Sequence, residues 1–151
     1  MLNAPDEIVR EILALEEAKR ALSVRDRCQE DFLAFVKHVY DGFIQGSHHK
    51  QVARRFETLA KTRGSRLIVN MPPRHTKSEF ASYLLPAWLI GKNPELKIIQ
   101  TPHTAELAVR FGRKVRNLME MQEYREVFPD VDLRADSKAA GRWETSQGGE
   151  Y

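Results

Sequence analysis

The sequence predicts an α/β fold, a parallel sheet with flanking helices, preceded by N-terminal helices. Three observations predict it. Residues 66–71 (RLIVNM) and 96–101 (LKIIQT) are short apolar runs bounded by glycine, proline or asparagine, as suits strands buried on both faces. The segment between them carries Phe80, Leu84 and Trp88 at helical spacing and reads as a crossover helix. Two such strands joined by a helix make a parallel βαβ unit, right-handed almost without exception.

The elements follow in order. Asn3 is placed to cap a first helix, Pro5, Asp6 and Glu7 suit its first turn, and Ile8, Ile12 and Leu15 share a stripe. Residues 15–27 are heavily charged and read as an exposed arm or a connection, so 1–25 is set apart as an N-terminal helical arm. A second helix is expected over 31–40, with Phe32, Val36, Val39 and Tyr40 on one stripe and Gly42 closing it. A third is expected over 49–62, with Val52, Phe56 and Leu59 inward and Gly64 as its stop. Pro72 and Pro73 end the first apolar run. Pro86 is expected to kink or shorten the crossover helix, because its missing N–H would have met the Ser82 carbonyl. Gly91, Asn93 and Pro94 form the next break. A long helix over 104–121 places Leu107, Phe111, Val115 and Leu118 inside, and residues 142–146 (RWETS) suit a further strand. The chain then stops straight after that strand, which suggests an interrupted domain.

Bulk composition excludes little. The chain has 151 residues, 42% hydrophobic and 30% charged, the balance of an ordinary globular domain. No run approaches the length of a membrane span, and the N-terminus lacks a signal-peptide pattern. Cys28 is the single cysteine, so an internal disulfide is impossible and a reducing, cytosolic setting is the simple reading. A formal charge of +3 permits nucleic-acid contact without arguing for it.

The informative segment is NMPPRHTKS, residues 70–78, between the first apolar run and the crossover helix. That context suits a phosphate-binding loop at 71–78, where amide N–H groups at a helix start attract an anion. Lys77 is suited to the terminal phosphates, the Ser78 hydroxyl to magnesium, and Arg74 to the γ-phosphate. His75 lies inside the loop, where it either touches phosphate or fills space. The consensus glycines fall at Met71 and Thr76. A β-branched residue in the left-handed conformation is an outlier that costs about 1–2 kcal/mol. The same residues also read as a proline-stopped strand running into a basic helix cap.

PPRHTKSE resembles the PPRHGKSE-like loop of the large terminase subunits of tailed bacteriophages. FVKHVYDGFIQGSHHKQV, FGRKVRNLME, EYREVFPDV and RADSKAAGRWET are similar to the same family, in the same order. The resemblance covers residues 26–151 and implies the N-terminal portion of a P-loop NTPase-like ATPase domain of the additional-strand type, with its Walker B region and nuclease domain absent. It implies ATP and Mg2+ as cofactors, Lys77 and Ser78 in the Walker A roles, Arg74 as the charged loop residue, and Pro73, His75 and Thr76 as loop residues around the phosphates. Gln51 is placed as an adenine contact, against an ordinary helix-surface glutamine. The implied partners are double-stranded DNA, a portal protein, a small terminase subunit and other copies in a homo-oligomeric ring. The implied place is the host cytoplasm, at the portal vertex of the procapsid. Thr76 departs from the family's glycine and puts tight binding in doubt.

Hydrolysis needs one carboxylate for magnesium and another to orient water. No apolar run ends in paired acids, and Asp130, Asp132 and Asp136 lie in a polar stretch that reads as a solvated loop. The chain alone is therefore expected not to turn over ATP. Arg110, Arg113 and Lys114 share a helix face that reads as solvated or as meeting DNA phosphates; Arg116 lies nearby. His48 and His49 are adjacent and are expected to point apart. His103 and Thr104 follow the second strand, Thr104 as a helix cap, and Trp88 and Trp143 read as core. Two other readings stand beside the packaging ATPase: a non-catalytic nucleotide- or DNA-binding remnant, and a helicase-like P-loop protein.

Overall fold

The computed structural model describes residues 4–138 and 141–151, a mixed helix-and-strand fold. Helix α1 runs over Ala4–Glu30, continuous through the charged 15–27 stretch, and the Asn3 cap lies outside the described residues. Its first half stands clear of the body, with Ile8, Ile12 and Leu15 exposed. Its last turns are gripped: the Trp88 indole N–H donates to the Cys28 carbonyl at 2.9 Å, and the Gln29 amide donates to the Val127 carbonyl at 2.7 Å.

Helix α2 (Phe32–Val39) starts where the Asp31 carboxylate accepts the Ala34 N–H at 2.8 Å, a side-chain N-cap. Phe32, Phe35, Val36 and Val39 face inward. Helix α3 (Ser47–Lys61) buries His49, Ala53 and Phe56, and Gly64 follows it at φ 72°, as a helix stop requires.

The next helical stretch is continuous but changes pitch. Helix α4 (Lys77–Glu79) passes through a π-helical turn (Phe80–Leu84) into α5 (Leu85–Lys92). Pro86 does not end it, since α5 runs on to Lys92. The wider turn moves the Leu85 N–H to the Phe80 carbonyl, and the Ser82 carbonyl that Pro86 cannot serve accepts the Gln100 amide at 3.4 Å. Gly91 lies inside α5, and the break falls at Asn93.

Helix α6 (Ala105–Glu120) begins with Thr104 accepting the Leu107 N–H at 3.2 Å, the cap its sequence suggested. Helix α7 (Gln122–Val127) follows, then a two-stranded antiparallel sheet of β1 (Leu133–Lys138) and β2 (Trp143–Thr145).

Phe32 centres the core, its ring edge-on to Phe56, Phe80 and Trp88 at centroid distances of 5.6, 5.5 and 5.5 Å. Two buried aromatic tips are satisfied: Tyr124 Oη donates to the Ala87 carbonyl at 3.0 Å and Trp143 Nε1 to the Gly112 carbonyl at 3.1 Å.

The two apolar runs depart from expectation. Neither 66–71 nor 96–101 forms a named strand, so the expected parallel βαβ sheet is not what these residues build. Each is also one-sided. Leu67, Val69 and Ile98 pack on the core, while Ile68 is 84% and Ile99 90% exposed. An apolar run buries both faces only if a layer covers each, and among the described residues a layer covers one. Lys97 makes a single parallel bridge with Glu150, with Ile98 N–H donating to the Glu150 carbonyl at 2.8 Å.

Candidate phosphate-binding loop

The loop over 71–78 joins the 66–71 run to helix α4. Arg74 and Thr76 are the two non-glycine residues with positive φ among those described, at 64° and 58°. Thr76 sits in the left-handed helical region as the N-cap of α4, with ψ 11°. Turns that alternate backbone handedness gather successive N–H groups around a concave space suited to anions. Among the described residues, the backbone N–H groups of Arg74, Thr76, Lys77 and Ser78 meet no protein acceptor at hydrogen-bond distance, while Pro73 and Arg74 form a hydrogen-bonded turn.

A cavity of about 540 Å³ opens at the loop, lined by Met71, Pro72, Pro73, Arg74, Thr76, Lys77, Ser78 and Glu79. Arg74, Lys77 and Ser78 are exposed there. The Lys77 ammonium lies 3.5 Å from the Met71 carbonyl oxygen, a weak contact that a phosphate displaces without loss. His75 lines the other side of the loop, its Nδ1 2.9 Å from the Pro73 carbonyl oxygen, a bond that requires the proton on that nitrogen.

A second cavity, about 450 Å³, lies next to the first, and both include Met71 and Pro72. His48, Gln51, Arg55, Asn70 and His75 supply its polar wall; Val52, Leu67 and Val69 supply apolar wall. Gln51 thus stands in a pocket that adjoins the loop, on the exposed side of α3.

The two adjacent histidines do not point apart. Their ring centroids are 3.9 Å from one another, and His48 also meets His75 edge-on at 5.6 Å. They sit in the first turn of α3, where His49 folds back to accept the Gly46 N–H at Nδ1, 2.8 Å away. A Cβ on Gly46 would come within 2.7 Å of His48 Cε1, so a side chain there would displace the His48 ring. The far nitrogen of His49, Nε2, lies 2.6 Å from the Thr76 hydroxyl. His49 is 5% exposed, and its pKa is lowered by burial first and then by His48 and His75. Sequence reasoning missed this residue because its partner lies 27 positions away; its one local signal is the Gly46–His49 spacing of a helix start.

Lys114 is not available as part of a DNA-facing row. Its ammonium is 3.0 Å from both carboxylate oxygens of Glu79 and sits over the Tyr83 ring at 4.9 Å. Arg110 and Arg113 remain exposed on α6. Asp136 pairs with Arg134 at 2.8 Å, which also reaches Glu144, so that acid belongs to a surface ion-pair network.

No group of three or more His, Cys, Asp or Glu side chains among the described residues is arranged to hold a metal ion. The carboxylate beside the loop, Glu79, is committed to Lys114. The donors fit a magnesium ion carried by phosphate oxygens and completed by Ser78 and water; they do not fit one held by the protein alone.

Compared with known proteins, the chain matches no family model, no curated protein and no solved structure.

Proposed function

We propose that the chain binds the polyphosphate of ATP–Mg2+ at the 71–78 loop, as the N-terminal ATPase segment of a phage-type DNA-packaging motor. The observation that carries it is the loop itself. Four loop amides without protein acceptors, those of Arg74, Thr76, Lys77 and Ser78, belong to residues that line one cavity, with the Lys77, Arg74 and Ser78 side chains at its wall. The adjoining pocket supports the same reading, since a nucleotide needs room for a base beside its phosphates and Gln51 offers that base an amide. In this reading Lys77 takes the terminal phosphates, Arg74 the γ-phosphate and Ser78 the magnesium, while Pro73, His75 and Thr76 shape the loop.

The additional-strand P-loop fold belongs to the proposal too. Its support is the sequence resemblance and the order of the 66–71 run, the loop and a helix. Double-stranded DNA, a portal protein, a small terminase subunit, a homo-oligomeric ring and the procapsid vertex in the host cytoplasm rest on the sequence resemblance. A second reading, a nucleotide-binding segment without turnover, is favoured by Glu79, whose pairing with Lys114 leaves the loop without a free carboxylate.

Titration of the protein with ATP–Mg2+ tests the site. Wild type is expected to bind weakly, Lys77→Ala to lose binding, and Thr76→Gly to bind more tightly. Equal affinities in all three would remove the loop from nucleotide binding. Steady phosphate release by the purified chain, lost on Lys77→Ala, would overturn the non-hydrolysing expectation.

A further inference from the structure

We propose that His49 is a positioning residue for the loop: its ring holds the Thr76 hydroxyl and so keeps a threonine in the left-handed backbone conformation the phosphate site needs. The inference rests on the nucleotide reading of the loop, and it explains how the loop forms without glycine at position 76.

The hydrogen bonds run in one direction. Gly46 N–H donates to Nδ1 of His49, so that nitrogen carries a lone pair and the ring proton sits on Nε2. Nε2–H then donates to Thr76 Oγ1 at 2.6 Å, and the same hydroxyl donates onward to the His75 carbonyl at 2.7 Å. Each group has one defined role, and the ring is neutral. A doubly protonated ring would set an N–H against the Gly46 N–H.

The ring is also held in place. Phe43 and Phe80 pack on it at centroid distances of 4.9 and 5.0 Å, and His48 at 3.9 Å. Phe80 belongs to the π-helical turn that follows α4, so the same contact joins α3 to the helix the loop leads into. Thr76 at φ 58° is disfavoured for a β-branched residue. Two hydrogen bonds on its hydroxyl offset that preference only in this conformation. With glycine at 76 the preference vanishes and so does the need for His49.

That logic gives a double-mutant cycle, read by ATP–Mg2+ affinity and by hydrogen exchange of the amides that close the first turn after the loop, among them Phe80 N–H, which donates to the Thr76 carbonyl at 2.9 Å. His49→Ala and Thr76→Val are each expected to weaken binding about tenfold and to speed exchange of those amides. His49→Gln, whose side-chain N–H can still donate, is expected to stay within about threefold of wild type. In a Thr76→Gly background, His49→Ala is expected to change affinity less than twofold.

Equal losses from His49→Ala in the threonine and glycine backgrounds would show general damage and overturn the proposal. No loss in either background would overturn it as well. If Lys77→Ala binds ATP–Mg2+ as wild type does, the nucleotide reading fails by itself. The His49 role is then judged on exchange alone, where unchanged protection of the Phe80 amide in His49→Ala and Thr76→Val sinks it.

Discussion

The Lys114 ammonium lies equidistant, at 3.0 Å, from the two carboxylate oxygens of Glu79, and Glu79 lines the loop cavity. Both side chains are about a third exposed, so the pair contributes modestly to stability, roughly 1 kcal/mol or less. Its larger effect is on the loop's potential. With Lys114 present the carboxylate is neutralised; without it, an anionic ligand meets a bare negative charge.

Lys114→Ala is therefore expected to weaken ATP–Mg2+ binding severalfold, although Lys114 does not line the loop cavity. Glu79→Gln is expected to strengthen binding, and the double variant to return close to wild type. The loss in Lys114→Ala should shrink as salt rises, because screening acts on the exposed carboxylate. Titrations at low and high salt check this. A Lys114→Ala loss that Glu79→Gln fails to restore would place Lys114 in direct contact with ligand.

Acidification provides an independent probe. Burial, reinforced by His48 and His75, holds the His49 pKa below its ordinary value of 6.5. The fold thus favours the neutral ring, and the unfolded chain takes up the proton first. His49 contributes its full share of stability above about pH 6.5, and that share is lost as pH falls through the folded-state value. Urea midpoints measured from pH 7.5 to 5.0 are expected to fall more steeply for wild type than for His49→Gln. Parallel profiles would mean that the ring's protonation does not report on folding.

Truncating Phe32 examines the core. Its ring meets Phe56, Phe80 and Trp88, and it is fully buried. Phe32→Ala removes the shared member of three edge contacts that join α2 to α3, the π-helical turn and α5. The expected cost is about 3–5 kcal/mol, the range for a buried aromatic cut to alanine. Urea denaturation measures it, and a loss below about 1 kcal/mol would show that the core closes over the gap.

The helices were readable because their signals are local. Asp31 and Thr104 sit at helix starts and cap as their types suggest, and Phe80, Leu84 and Trp88 bury as their spacing requires. The RWETS strand was readable and forms β2 (Trp143–Thr145), but the two apolar runs were not. RLIVNM and LKIIQT carry the composition of doubly covered strands, but burial of Ile68 and Ile99 depends on a second layer, which composition does not encode. Pro86 misled for a similar reason, since Gln100, fourteen residues on, takes the carbonyl it abandons. At the loop, Arg74, Lys77 and Ser78 were singled out from residue type and order, and the structure places all three on the wall of one cavity. The means by which Thr76 tolerates its backbone was hidden, because it depends on a histidine in another helix.

Removing the start of α1 tests how the body holds that helix. Ile8, Ile12 and Leu15 are each more than half exposed, so residues 8–15 add little apolar burial to the fold. The grip begins later: Arg25 Nε donates to the Glu126 carbonyl at 3.3 Å, Gln29 reaches Val127, and Cys28 accepts from Trp88. A lone helical stretch of this length is marginal in water, so deleting it removes little stability. Deletion of residues 1–15 is expected to shift Tm by less than about 2 °C, the change that about 0.5 kcal/mol produces in a domain of this size. Gln29→Ala loses a part-buried hydrogen bond of about 1 kcal/mol and is expected to lower Tm further, by about 2–4 °C. Thermal scans of the two variants decide it. A deletion more damaging than Gln29→Ala would mean that the apolar side chains of the first half are covered in solution.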